Sequence, residues 1–491
     1  MSATASGLVG GEQAAGRAAP RTSGARPSGA RRWVPAGLGA VFFAVYVTVS
    51  TARYDRLDTI SWDLGIFAQA AQSYAARGYP VVDIKAPGFS LLGDHFSPVI
   101  ALWGPLWALA PSPVTLLVAQ AVLIAYSVVP IARVAIGLLG HWAGTAVGVA
   151  YGMSFGLLAA IDFDVHEYAF AAPLLALAGE AYLRRRWAAS CLWAAALLLV
   201  KEDLGLTVAA IGVALALTGA RRWGVGLVGL GLAAVALTLL VVIPAFSPGD
   251  SWDYWGRLGA GGDDPSSAGI ITSLVGLPVN LFTPGVKAGT WLATFGVTGF
   301  LALRSPWVIA VLPTMLWRLG SDYEFYWGLN LHYSLVPMPI VFVAMIDAIV
   351  RSREGRRAWL AWYAERVPTL ALVVALALST QGPLVDLLSP SSYADTARER
   401  DAERVQAMLP AGSSVETDIE LLAPLVADHD VYFIGTNDGA RSVPVDYVVV
   451  DRATAAGWPM PLRQWAQERH PGFRYEQLSD FGGYQVVRRV S

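Results

Sequence analysis

The chain has 491 residues, 55% of them hydrophobic and only 15% charged, with a mean hydropathy of +0.48. A soluble domain averages about 25% charged residues, so the bulk of this chain is not a soluble enzyme. The formal net charge of −2 is spread along the sequence without the concentrated basic face that nucleic acid requires. The single cysteine, Cys191, rules out an intrachain disulfide framework or thiolate metal cage and reads as a small packing residue.

Residues 1–32 are rich in Gly, Ala, Ser and Pro, with Arg17, Arg21, Arg26, Arg31 and Arg32, which predicts a disordered cytoplasmic N-terminus. A long basic leader favours an uncleaved anchor over a signal peptide. Apolar runs follow near 33–51, 114–132, 141–160, 168–183, 187–200, 204–220, 223–243, 288–304, 306–319, 333–350 and 367–385. They predict an α-helical polytopic membrane protein of about 11 transmembrane helices within 33–385. Segment 96–111 is apolar but broken by Pro98, Pro105 and Pro111, and proline costs roughly 3 kcal/mol inside a helix. Treating 96–111 as re-entrant or interfacial leaves Arg133, the 184–186 run, Arg221, Arg222, Arg304 and the 351–357 run on one side. The positive-inside rule makes that side cytoplasmic. No internal repeat of the kind that builds many transporters is evident.

On this count the outer face receives a first loop 52–95, the turns 161–167 and 201–203, a loop 245–287, the segment 320–332 and everything after 385. Placing an Asp at mid-bilayer costs about 2.5–3.5 kcal/mol, so its position at a segment end asks for water, a cation or a substrate. Ionisable groups collect at that face: Asp63, Asp94, His95, Asp162, Asp164, His166, Glu167, Lys201, Glu202, Asp203, Asp322, Glu324 and His332. Leu64, Phe67, Ala68 and Ala71 recur at helical spacing opposite Gln69, Gln72, Ser73 and Arg77. This predicts an amphipathic helix along the interface, with Asp63 kept ionised by the helix dipole. Residues 386–491 change character, and predicted strands at 414–417, 431–434, 447–450 and 484–487 with helices at 394–408 and 461–468 read as a small extracytoplasmic α/β domain. It has no Gly-rich phosphate loop.

The ordered motifs Trp62-Asp63-Leu64-Gly65-Ile66-Phe67-Ala68-Gln69, Gly93-Asp94-His95-Phe96-Ser97-Pro98, Asp162 through His166 to Pro173, Lys201-Glu202-Asp203 and His332-Tyr333-Ser334 resemble the DUF2079 family of membrane proteins. That family is similar in layout to the GT-C glycosyltransferases, which use polyprenyl-phosphate sugars. The resemblance implies that Asp63 occupies the place of the first-loop acid, a base or metal ligand in that superfamily. It also implies that Lys201 lies where related transferases set a lysine beside lipid phosphate. Many relatives carry two adjacent acids, whereas Leu64 follows Asp63 here.

A sugar on a polyprenyl phosphate has a good leaving group, so one carboxylate to deprotonate an acceptor hydroxyl and one cation to hold the phosphate would suffice. Asp63 is read as the catalytic base, with a solvated helix-end carboxylate as the bland alternative. Asp94, His95, Asp162, His166, Glu167, Lys201, Glu202, Asp203, Asp322, Tyr323, His332 and Tyr333 are the candidate substrate-binding residues. A divalent ion among these carboxylates and imidazoles is open, since no spacing is diagnostic. Trp252, Tyr254, Trp255, Tyr323, Phe325, Tyr326, Trp327 and Tyr333 fit either an interfacial aromatic belt or a platform for sugar rings. The expected partners are a polyprenyl-phosphate-linked sugar and a glycan, lipid or protein acceptor of the cell envelope, at the plasma membrane. A non-enzymatic transporter or a lipid-handling or assembly protein is the alternative reading.

Overall fold

The computed structural model describes residues 33–247, 276–452 and 460–490. The leader 1–32 and the aromatic run Trp252-Asp253-Tyr254-Trp255 lie outside the described residues. The first ten helices are α1 (Val34–Asp55), α2 (Trp62–Arg77), α3 (Trp103–Leu109), α4 (Pro113–Leu139), α5 (His141–Gly152), α6 (Phe155–Asp162), α7 (Tyr168–Leu183), α8 (Trp187–Ala196), α9 (Leu204–Leu217) and α10 (Arg221–Leu237). Later helices include Gly285–Gly296, Leu312–Gly320, Pro337–Arg353, Ala358–Ala364 and Val367–Ser379.

Among the described residues, five helical stretches are long and apolar enough to cross a membrane: Val34–Asp55, Pro113–Leu139, His141–Asp162, Arg221–Phe246 and His332–Arg353. A sixth results if the bent pair Ala358–Ala364 and Val367–Ser379 counts as one span. Other apolar segments are helical but short, and the backbone shows why. The predicted span 288–304 loses its helix after Gly296, because Gly299 and Phe300 both take left-handed φ, 55° and 57°. The predicted span 306–319 begins as a 3-10 turn, Pro306–Val311, and becomes α-helical only from Leu312.

Among the described residues the C-terminal region forms a five-stranded sheet: β1 (Ser414–Thr417), β2 (Asp430–Phe433), β3 (Tyr447–Asp451), β4 (Tyr475–Phe481) and β5 (Tyr484–Arg489), in the order β2-β1-β3-β5-β4. β1 runs parallel to β2 and β3, while β5 is antiparallel to β3 and β4. β4 was not predicted. Glu476 and Gln477 are exposed on this edge strand, so it shows no apolar alternation. Its signal was the Gly482-Gly483 pair, whose positive φ values, 59° and 90°, turn the hairpin. The helix Ala397–Met408 opens with a capping box between Thr396 and Glu399.

The expectation of an interfacial α2 is corrected by its packing. Leu64 through Ala71 are all buried, in one apolar cluster with Ile100, Trp103 and Trp107 on one side and Leu421, Leu422 and Leu425 of the C-terminal region on the other. The polar face meets protein backbone instead of headgroups. Gln69 Nε2 donates to the Val431 carbonyl at 2.7 Å, Gln69 Oε1 accepts from the Ile84 amide at 3.0 Å, and Gln72 Nε2 donates to the Val426 carbonyl at 3.0 Å. Gly65 permits the close approach, since a Cβ there would press on Leu422 Cβ and Ile84 Cδ1 at 3.1 Å. The proline-broken segment forms a 3-10 turn, Pro98–Leu102, followed by α3, and Trp103 stands edge-on to Phe67 at 5.5 Å. α2 is therefore wedged between the helical bundle and the sheet.

Candidate active site

The N-terminus of α2 carries Asp63, and Asp164 comes to it from the turn between α6 and α7. The Asp164 carboxylate accepts from the Ser61 amide at 3.3 Å and the Leu64 amide at 3.2 Å, capping α2 from a distant loop. Ser61 itself has a left-handed φ of 66° and makes no side-chain cap. The helix-end N–H groups thus serve Asp164, leaving Asp63 beside a second carboxyl in a site enclosed by protein.

That geometry overturns the expectation of a dipole-stabilised Asp63 anion. Burial, followed by the Asp164 and Glu167 charges, pushes its carboxyl up to about 7, against the opposing pull of Lys201 and Lys85. Asp164 is pushed up to about 6 by burial, less far because backbone N–H groups bond its anion. Among the described residues the Asp63 carboxylate has no ion pair.

Around Asp63 the other predicted groups fall into linked pairs. Glu167 lies 3.0 Å from His166 Nδ1 and 2.8 Å from Lys201 Nζ. Lys201 Nζ also sits 4.8 Å from the centre of the Tyr168 ring. Burial pulls the lysine pKa down, but Glu167, Glu202 and Asp203 outweigh it and hold the ammonium protonated. Glu202 lies 2.7 Å from His95 Nδ1 through one oxygen and accepts from the Phe96 amide at 2.9 Å through the other. Burial would raise Glu202, yet the His95 and Lys201 charges bring it below its ordinary value. Asp203 accepts from the Tyr168 hydroxyl at 2.9 Å and is pushed up to about 6, chiefly by burial. Lys85 binds Asp94 at 2.6 Å.

His332 completes the centre. Its ring stacks on His166 with centroids 3.6 Å apart, and donor atoms of Asp63, His166 and His332 all lie within 4.8 Å of one another. Gly156 makes this possible: a side chain there would collide with the Ser334 carbonyl and Met338. Tyr333 follows at 4.1 Å from His332, and its ring continues through Tyr326 at 5.0 Å to Tyr323 at a further 4.9 Å.

Four segments distant in sequence therefore meet: the first loop, the 163–168 turn, the 201–203 turn and residues 332–333. Asp94, His95, His166, Glu167, Lys201, Glu202, Asp203, His332 and Tyr333 belong to this assembly, together with Asp63. Three other candidates stand apart. Asp162 pairs with Arg53 at 2.9 Å. Asp322 is 3.4 Å from Asn280 Nδ2, and Tyr323 reaches the centre only through the aromatic file. Sequence reasoning had not singled out Lys85, Tyr168, Gln120 or Arg318. Gln120 donates to the Ala160 carbonyl at 3.2 Å and accepts from the His166 amide at 3.0 Å, pinning the turn. Arg318 is fully buried and donates to Ser334 Oγ at 3.0 Å and to the Tyr326 and Gly328 carbonyls. A lone arginine in an apolar helix was the available signal.

A bundle of apolar helices with broken segments, joined to a small C-terminal sheet, defines a polytopic helical membrane protein. The family model described as predicted membrane protein (DUF2079) matches residues 53–489, and the chain belongs to that family. A search of curated proteins finds no match. Among solved structures, ArnT from Cupriavidus metallidurans bound to undecaprenyl phosphate is similar at 15% identity and a TM-score of 0.53, covering 93% of this chain and 98% of that one. Its apo form is similar at 14% identity and a TM-score of 0.50, covering 92% and 98%. The apo oligosaccharyltransferase of Archaeoglobus fulgidus aligns at 12% identity over 92% of this chain and 74% of that one, with a TM-score of 0.45.

Proposed function

We propose that this protein is an integral membrane glycosyltransferase that takes a sugar from a polyprenyl-phosphate donor and transfers it to a cell-envelope acceptor at the outer membrane face. The observation that carries this reading is the convergence of four distant segments on Asp63 within a GT-C-like fold. The similar ArnT structure holds undecaprenyl phosphate, which supports a polyprenyl carrier here. In this reading the chain makes about 11 crossings, with 1–32 cytoplasmic and 386–491 extracytoplasmic as a separate α/β domain.

The acceptor oxygen attacks the anomeric carbon while the carbon–oxygen bond to phosphate breaks, and that electron pair leaves with the phosphate. The hydroxyl proton passes to Asp63, raised by its surroundings into the range where a base works near neutral pH. Direct displacement with one base inverts the anomeric centre, as in inverting glycosidases. Lys201, held by Glu167, supplies positive charge to the departing phosphate. The aromatic file from Tyr333 to Tyr323 supplies faces for sugar rings. Purified Asp63→Asn is expected to retain the donor lipid, followed by mass spectrometry, and to lose transfer by about 100-fold or more. Full transfer by that variant would refute the base assignment.

A further inference from the structure

The centre described above has an imbalance of charge. Glu167 is matched by Lys201 and Glu202 by His95, whereas among the described residues no basic group lies in close ion-pair contact with Asp63, Asp164 or Asp203. Asp164 is served by backbone amides and Asp203 by a tyrosine hydroxyl, whereas the Asp63 carboxylate has no hydrogen-bond or ion-pair partner among the described residues. Beside it lies His332, only 2% exposed, with neither ring nitrogen hydrogen-bonded among the described residues. A buried polar group without a partner is costly, and native proteins rarely keep one unless something else satisfies it. His166 engages Glu167 through Nδ1, which leaves Nε2 for a ligand and fixes the ring in the way carboxylates orient metal-binding histidines. The two imidazoles stack face to face, so protonating both would set like charges in close contact. Neutral imidazole is the form that binds metal.

We propose that Asp63, His166 and His332 bind a divalent transition-metal ion. Their donor atoms come from three separate segments and already lie within 4.8 Å of one another. Two imidazoles and one carboxylate suit zinc, manganese, iron or cobalt, whereas magnesium and calcium prefer all-oxygen sites. Three protein ligands leave coordination positions open to an anionic oxygen. The site stands whatever the reaction is; in the transferase reading Asp63 would hold the ion through one carboxylate oxygen and take the acceptor proton on the other, and the ion's use in stabilising the leaving phosphate rests on that reading.

The test uses the full-length protein in detergent, stripped with chelator and titrated with Zn2+ or Co2+. Wild type is expected to take up one equivalent by elemental analysis, and the cobalt form to show visible ligand-field absorption. His166→Ala and His332→Ala should weaken binding at least about 100-fold, and Asp63→Asn, which preserves shape, should weaken it too. His429→Ala, in the C-terminal region, should bind as wild type does. Absence of stoichiometric uptake by wild type overturns the site. Unchanged affinity in folded Asp63→Asn and His332→Ala overturns it as well, with folding checked by thermal melting. Wild-type protein that transfers sugar yet takes up no metal refutes this inference alone. Protein that binds the metal and transfers no sugar supports the site and counts against the transferase.

Discussion

Asp63 and Asp203 show how position, more than residue type, decides the behaviour of a carboxyl group. Each lies at a helix end, and each is raised chiefly by burial among other charges. For Asp203 the sign of the stability effect follows directly. Its folded pKa of about 6 exceeds the ordinary 3.8, so the folded protein holds this proton more tightly than the unfolded chain does. Acidification from above 6 towards 4 then stabilises the fold, and ionisation at higher pH costs up to about 3 kcal/mol. Asp203→Asn removes that cost while an amide oxygen still accepts from Tyr168. The variant should melt above wild type near pH 7.5, with the gap narrowing steadily towards pH 4.5. A gap independent of pH would show that Asp203 does not titrate in this way.

At the scale of elements, α2 binds both halves of the molecule. Its N-terminus is capped by Asp164 from the bundle, and its flank is tied to the backbone of the sheet region by Gln69 and Gln72. Position 63 is thereby fixed relative to 166 and 332. Gln69→Leu keeps the volume but strands the Val431 carbonyl and the Ile84 amide in a buried place. Each unsatisfied group costs about 1–3 kcal/mol, so the variant should melt several degrees lower in detergent. Any activity assay should fall with it, although Gln69 is a positioning residue that need not touch substrate. A melting point equal to that of wild type would mean that apolar packing alone seats α2.

For the whole molecule, the reading depends on sidedness. The basic turns and the ionisable centre sit at opposite ends of the bundle in the count that places 1–32 in the cytoplasm. With Cys191 replaced by serine, a single introduced cysteine reports the side at which it lies. Glu468→Cys, in the helix Leu462–Arg469, should react with a membrane-impermeant maleimide on intact cells. Arg356→Cys, just beyond the helix Pro337–Arg353, should react only after permeabilisation. The reverse pattern would turn the centre towards the cytosol and remove the proposed site from the outer face.

The helical membrane class, the position of nearly every apolar segment and four of the five strands could be read from the sequence, because hydropathy and alternation are local properties. The family could be read as well, from short motifs that stay in order along the chain. The edge strand β4 and the burial of α2 could not, since neither leaves a local apolar pattern: the strand is solvent-facing, and the side-chain amides of Gln69 and Gln72 donate to carbonyls 362 and 354 residues away. The state of Asp63 was decided by tertiary structure alone. Asp164 takes the amides at the helix end, and His332 arrives from a segment some 270 residues later, so the field at that carboxyl is a sum over groups that only folding brings together.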